Sequence, residues 1–118
     1  MKIWSSLDLL RLMKKLIPHG KDVPIRKFAK LFSISTGQLH EILRSKKRIT
    51  KKFSMQLARL DNFLVELGDC MMLDSQLQWL AKPNKSFNHR RPIDMLRSDK
   101  GHKELMCMID DVSRGAFM

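Results

Sequence analysis

Residues 24–44, PIRKFAKLFSISTGQLHEILR, predict two short helices joined by a tight turn. Ser35 and Gln38 form a capping-box pattern, which marks the start of the second helix. Ala29 is small enough for two helices to cross closely, and Ile34 supplies an apolar plug in the turn. Apolar residues recur at helical spacing on both sides of the turn, at Ile25, Phe28, Phe32, Leu39, Ile42 and Leu43. This pattern is typical of a helix-turn-helix.

One position departs from the usual helix-turn-helix pattern. Ser33 stands in the turn, where such motifs usually have glycine. Glycine is favoured there because it adopts left-handed backbone conformations without steric cost. We therefore expect the turn to form without the most permissive residue, which weakens the match without breaking it.

The second helix of the motif and the segment after it contain the candidate DNA contacts. Gln38, His40 and Arg44 lie on the outward face, where Gln and Arg suit base edges in a major groove. Glu41 also faces outward and can accept from cytosine or pair with Arg44. Side chains that suit flanking phosphates follow at Lys46, Lys47, Arg48, Lys51 and Lys52. The alternative is a helical hairpin whose basic face is only solvated. We favour DNA binding because positive charge peaks in this segment.

Charge is unevenly distributed along the 118 residues. Residues 1–68 contain 15 Lys and Arg against 5 Asp and Glu, a net charge of +10. Residues 69–118 contain 8 against 7, a net charge of +1, and the whole chain carries +11. A basic half joined to a balanced half indicates two surfaces with two partners, one of them polyanionic. We therefore divide the chain into a basic helix-turn-helix domain, 1–68, and a second domain, 69–118.

Helical signals continue on both sides of the motif, so the predicted fold class is all-α. We expect a helix-turn-helix bundle followed by a small block of three helices. Capping residues predict where helices begin, at Ser5 or Ser6, Ser35, Thr50, Pro92 and Ser98. The longest helix, after Thr50, has more apolar surface than a single stripe, which predicts a homodimer through this face.

Composition and residue spacing exclude several classes of protein. No apolar run approaches the roughly 20 residues that span a bilayer, so we expect a cytoplasmic protein with no membrane partner. Cys70 and Cys107 lack metal-ligand spacing, so we expect buried free thiols in a reducing compartment. The histidines are scattered, and no Ser or Cys has a neighbouring base. We therefore predict no enzyme, no cofactor and no metal site.

Several short motifs follow one another in the last third of the chain. They are WLAKPN at residues 79–84, RRPIDML at 90–96, Gly101, Ile109, Val112 and the pair Arg114-Gly115. In order and interval they resemble the toxin-binding domain of the Xre/MbcA/ParS antitoxins, over about residues 69–117. Residues 20–68 are similar to the Xre-like helix-turn-helix portion of the same family. Where that family usually has glycines before the arginine-proline motif, this chain has Asn88 and His89.

The resemblance implies an antitoxin of a type II toxin-antitoxin system. Such antitoxins pair with a RES-domain toxin, an enzyme that consumes NAD or transfers ADP-ribose from it. The C-terminal end covers or enters the toxin's active site, and the N-terminal half binds operator DNA and represses the shared operon. Mapped onto this sequence, the resemblance assigns toxin contacts to Arg114, Gly115, Ala116 and Phe117, with Asp110 and Asp111 at the adjacent rim. A slightly acidic last helix suits a basic pocket built for the phosphates of a dinucleotide.

Other functions stay open on the sequence alone. A stand-alone transcription regulator would need only the helix-turn-helix, and the absence of a neighbouring toxin gene would favour it. An RNA-binding module is a weaker alternative, because the chain has no Tyr and few aromatic residues to stack on bases. An enzyme fits the residues least.

Overall fold

The computed structural model describes residues 3–17, 20–67 and 73–113 of the chain. Its helices are α1 Ser6–Lys15, α2 Ile25–Leu31, α3 Thr36–Leu43, α4 Lys51–Leu67, α5 Leu73–Ala81, α6 Pro92–Met95 and α7 Asp99–Ser113. A single 3₁₀ turn, Lys85–Phe87, lies between α5 and α6. Within these described ranges there is no strand. The predicted all-α class is confirmed, and three helices follow α4, of which α7 is longer than expected.

The helices begin where nearby side chains satisfy free backbone donors. The Ser5 hydroxyl oxygen accepts from the backbone N–H of Asp8 (3.2 Å), and the Asp8 carboxylate accepts from the Ser5 N–H (3.0 Å). Ser35 and Gln38 make the same reciprocal pair before α3, with both bonds at 3.0 Å. The Thr50 hydroxyl oxygen accepts an N–H of the first turn of α4 (3.1 Å). Because these contacts are local, the capping residues predicted them correctly.

One apolar core connects the helix-turn-helix to the C-terminal helices. Leu57 of α4 is buried in it together with Ile93 of α6 and Leu105 of α7. Part of the apolar surface of α4 that extends beyond a single stripe packs against other helices of the same chain. The Phe63 ring stacks on the Trp79 ring of α5, with 5.9 Å between centroids. Burial of such side chains is the main favourable contribution to folding.

Two polar side chains of α4 also hold the C-terminal helices. The buried Gln56 amide donates to the carbonyl oxygen of Ile93 (2.9 Å). Arg59 donates to the carbonyl oxygen of Leu96 (3.2 Å) and pairs with the Asp99 carboxylate (3.0 Å). The predicted domains 1–68 and 69–118 are therefore in direct contact, and their separation stays a prediction about function.

Cys107 corrects one expectation from the sequence. Its thiol is exposed and unpaired, although we expected a buried cysteine. α7 buries Leu105 and Ile109, which lie four residues apart on one face. Cys107 falls between them in sequence and hence on the opposite side of the helix. Cys70 lies outside the described residues.

Candidate DNA surface and partner-binding segment

The exposed face of α3 carries the side chains predicted to read DNA. Gln38, His40 and Arg44 are exposed, as are Gly37 and Glu41. Since successive helical residues are about 100° apart, Gln38 and His40 lie on opposite flanks of this face. Leu39 and Ile42 on the other side are buried and fix the orientation of α3 against the core. The face predicted to enter a major groove is thus free of packing.

Gln38 takes part in the cap of α3 as well as facing outward. Its side-chain oxygen accepts the backbone N–H of Ser35 (3.0 Å). A bidentate contact to adenine would require both the oxygen and the nitrogen of this carboxamide. While the cap is intact, Gln38 offers a base both N–H donors, and its oxygen can accept from a base only through the lone pair that the cap does not use.

Positive charge is concentrated between the end of α3 and the start of α4. Ser45, with φ +63°, turns the chain out of α3, and Ile49, 5% exposed, anchors the connecting loop in the core. The exposed cations of this segment are Arg44, Lys46, Lys47, Arg48, Lys51 and Lys52. Across the described ranges, no carboxylate pairs with any of them. An unpaired cluster next to the positive end of α4 is suited to phosphate.

A cleft of about 590 Å³ lies between the α2–α3 turn, α3 and the start of α4. It brings together part of the predicted set, namely Gln38, Lys47, Arg48 and Lys52. The rest of the set lies outside its lining: His40, Arg44, Lys46 and Lys51. Arg97, which follows α6, also lines the cleft. Sequence reasoning missed Arg97 because only tertiary packing brings the C-terminal segment to this surface.

Arg91, at the start of α6, reaches across to the helix-turn-helix. Its guanidinium donates to the carbonyl oxygens of Lys30 (3.2 Å) and Leu31 (3.3 Å) at the end of α2. It also donates to the Ser33 hydroxyl (2.9 Å) and pairs with the Asp94 carboxylate (2.8 and 3.0 Å). The hydrogen bond to Asp94 raises the pKa of Arg91, against the opposing effect of burial. This guanidinium therefore joins the C-terminal segment to the helix-turn-helix turn.

The loop before Arg91 is closed by a backbone hydrogen bond and contains two left-handed residues. The Asn84 N–H donates to the carbonyl oxygen of Arg90 (3.0 Å), which closes the loop. Asn88 (φ +58°) and His89 (φ +62°) are both left-handed. Glycine adopts this conformation at little cost, and Asn tolerates it better than most residues do.

Gly101 allows α7 to approach the end of α6. A Cβ built at this residue would lie 2.1 Å from the carbonyl oxygen of Met95. The Gly101 N–H donates to the hydroxyl oxygen of Ser98 (3.1 Å), the residue just before α7. The glycine of the C-terminal motif thus has a packing role.

The predicted partner contacts lie at or beyond the end of the described chain. Asp110 is exposed on α7, one residue after the buried Ile109. For Asp111 the structure describes the backbone within α7 but not the side chain. The remaining four predicted contacts fall outside the described residues: Arg114, Gly115, Ala116 and Phe117.

Among the described residues, His102 has a pKa that the fold lowers. Burial is the main cause, the positive charge of Arg59 adds to it, and Asp99 opposes it. The ring nitrogen Nε2 is buried and has no hydrogen-bond partner among the described residues.

No group of three or more His, Cys, Asp or Glu in the described ranges could hold a metal ion. None of the described helices is long and apolar enough to cross a membrane.

Comparison with known proteins identifies relatives of this chain. Residues 72–110 match the family model described as the antitoxin Xre/MbcA/ParS C-terminal toxin-binding domain. The mycobacterial cidal antitoxins MbcA of Mycobacterium bovis and Mycobacterium tuberculosis are each 28% identical over 71 residues, which is 60% of this chain. The matching segment spans 59% of the length of those relatives.

A solved structure has the same fold over nearly the whole chain. It is a chain of the crystal structure of the M. tuberculosis MbcT–MbcA toxin-antitoxin complex, with a TM-score of 0.62 and 19% identity. The superposition covers 96% of this chain and 96% of that one. At 19% identity the structural similarity shows a shared fold only. The evidence on the family comes from the sequence matches. The resemblance predicted from the sequence is confirmed: residues 72–110 match the Xre/MbcA/ParS C-terminal domain, and the relatives found by sequence are MbcA antitoxins.

Proposed function

We propose that this chain is the antitoxin of a type II toxin-antitoxin pair and binds its toxin through the C-terminal segment. The observation that carries this proposal is the match of residues 72–110 to a domain described as toxin-binding. The named relatives are antitoxins, and the solved structure of the same fold comes from a toxin-antitoxin complex. The basic surface lies mainly on α3 and the start of α4, which leaves exposed residues of α7, such as Asp110, for a different partner.

The proposed mode of neutralisation is occlusion of the toxin's active site by the end of the chain. Residues 114–117 would enter the site, with Asp110 and Asp111 at its rim. The partner in this proposal is a RES-domain enzyme that consumes NAD or transfers ADP-ribose from it. Exposure of Asp110 supports an acidic rim. A pocket that binds the phosphates of a dinucleotide is basic, so acidic residues would complement its edge.

The second proposed activity is operator binding by α3 and the segment after it, with repression of the shared operon. Gln38, His40 and Arg44 would face the groove, and the cations from Lys46 to Lys52 would contact phosphates. The uncompensated charge of this segment supports the proposal. A helix-turn-helix commonly works as a two-fold pair, so the proposed DNA-bound form is a homodimer. Val65 of α4, 67% exposed, is an apolar residue still available to such an interface. Both proposed partners place the protein in the cytoplasm.

Co-purification with the product of the neighbouring gene tests the proposed function. The full chain, untagged, is co-expressed with the tagged neighbouring protein and passed over affinity and size-exclusion columns. We expect the chain and the tagged protein to elute together as a stable complex. The tagged protein expressed without the chain should form no such complex with proteins of the host. If no complex forms while the chain still binds the DNA upstream of its own gene, the stand-alone regulator replaces the antitoxin.

A further inference from the structure

The turn between α2 and α3 has a backbone conformation that serine does not favour. Ser33 has φ +59°, in the left-handed region that glycine enters at little cost. The turn sets the direction of α3, because the Ile34 N–H donates back to the Ala29 carbonyl oxygen (3.0 Å) just before α3 begins. Something other than a glycine must therefore keep this turn in place.

The contacts of Arg91 supply that restraint. Its guanidinium binds the end of α2, through the carbonyl oxygens of Lys30 and Leu31, and the turn itself, through the Ser33 hydroxyl. The side chain is 20% exposed, and the Asp94 carboxylate holds the guanidinium in its orientation from behind. A planar guanidinium can satisfy several acceptors in fixed directions, which a lysine ammonium cannot reproduce.

We infer that Arg91 is a positioning residue for DNA reading. It holds the strained turn at Ser33 and thereby the direction of α3, although it belongs to the segment that carries partner binding. This inference rests on the proposed DNA-binding function. It also gives the two proposed activities a physical link. A partner whose binding alters the contacts of Arg91 or Asp94 would change the affinity of the protein for DNA. DNA would then change the affinity of the protein for that partner by the same factor.

A double-mutant cycle between positions 33 and 91 tests the inference. The full-length proteins are wild type, Arg91→Ala, Ser33→Gly and Ser33→Gly/Arg91→Ala. DNA affinity is measured on a duplex covering the region upstream of the protein's own coding sequence and on a mixed-sequence duplex of equal length. We expect Arg91→Ala to weaken binding to the upstream duplex by about tenfold. Glycine at position 33 needs no restraint, so the double variant should recover most of this loss.

Arg90→Ala is the matched control. It removes the same charge from the neighbouring position, but Arg90 binds Glu104 (2.8 Å) and the Phe87 carbonyl oxygen (2.9 Å), away from the α2–α3 turn. We expect it to weaken DNA binding by about twofold or less. Arg91→Lys, which keeps the charge, should behave like Arg91→Ala, and Ser33→Gly should rescue it too. If Arg91→Ala does not fold, the cycle with Arg91→Lys replaces it.

Salt dependence separates positioning from direct contact. The slope of log Kd against log salt counts the phosphates that are neutralised. The slope should be unchanged in Arg91→Ala if Arg91 acts only through the turn, even though the affinity falls. The inference is overturned by equal losses in Arg90→Ala and Arg91→Ala, by a failure of Ser33→Gly to rescue, or by a flattened slope. A wild-type chain that prefers neither duplex overturns the proposed DNA function itself, and this inference with it.

Discussion

The guanidinium of Arg91 donates a 2.9 Å hydrogen bond to the hydroxyl of Ser33, across 58 positions of sequence. Arg91 stands in the motif that identifies the C-terminal domain, and Ser33 stands where the helix-turn-helix usually has glycine. The serine that replaces glycine in the helix-turn-helix is thus held by an arginine of the C-terminal motif. For this reason the parts of the chain proposed to bind DNA and to bind a toxin are mechanically joined.

Replacing Gly101 by Ala should destabilise the fold by about 3 kcal/mol, the upper part of the usual cost of overpacking. The added methyl group would meet the Met95 carbonyl oxygen at 2.1 Å, and a backbone oxygen cannot move aside as a flexible side chain can. Urea unfolding measures the change. Gly37→Ala is the control, because its Cβ would approach only the Ser35 hydroxyl, at 3.9 Å. That variant should be neutral or up to about 1 kcal/mol more stable, since alanine favours helix. Equal effects of the two substitutions would refute the packing role.

Stability should rise with pH through the range just below 6.5, the ordinary pKa of histidine, because of His102. Burial lowers the pKa of His102 in the folded protein, so the unfolded chain binds more protons between the two pKa values. The contribution of His102 to the free energy of unfolding is present in full above its pKa in the unfolded chain. It is lost as the pH falls through its pKa in the folded protein. Urea midpoints measured from about pH 5 to 7 should show this rise in wild type.

His102→Gln should lack that part of the pH dependence. His40→Gln removes a histidine from an exposed position on α3 and serves as its control. The explanation fails if wild type and His102→Gln have parallel stability profiles.

Substituting Arg44, Lys47 and Lys51 by Ala should weaken DNA binding and flatten its salt dependence. Each lost phosphate contact reduces the slope of log K against log salt by about 0.9 for duplex DNA. A triple variant that loses three contacts should therefore have a slope smaller by about 2.7. The matched control removes three exposed lysines from elsewhere, Lys14, Lys100 and Lys103. Gel shifts across a salt series measure both. An equal slope in the two triple variants would place the DNA surface elsewhere.

Local interactions were the part of this structure that the sequence could predict. Ser5, Ser35 and Thr50 cap helices through partners three residues away, so their chemistry is visible in a short window. The C-terminal motifs were recognisable in the same way. Asn88 and His89 lie between two of these motifs, where the resembled family usually has glycines, and their left-handed backbone was not predicted.

Long-range contacts were the part that could not be predicted. Nothing near Arg91 in sequence indicates Ser33, although a serine at the turn-glycine position was a sign that some restraint was needed. Arg97 reaches the basic cleft only through the packing of α6 and α7 against α4. The error at Cys107 has another cause, because a thiol's apolar character says little about which face of α7 it occupies.

Growth of cells that express the neighbouring gene, proposed to encode the toxin, tests the central claim most directly. Three forms of the chain are co-expressed with it: the full chain, the chain ending at Ser113, and the Arg44→Ala/Lys47→Ala/Lys51→Ala variant. DNA binding of each form is measured in parallel. The account predicts that the full chain and the triple variant restore growth. The shortened chain should fail to protect while still binding DNA. Protection by the chain ending at Ser113 would contradict occlusion by the C-terminal end.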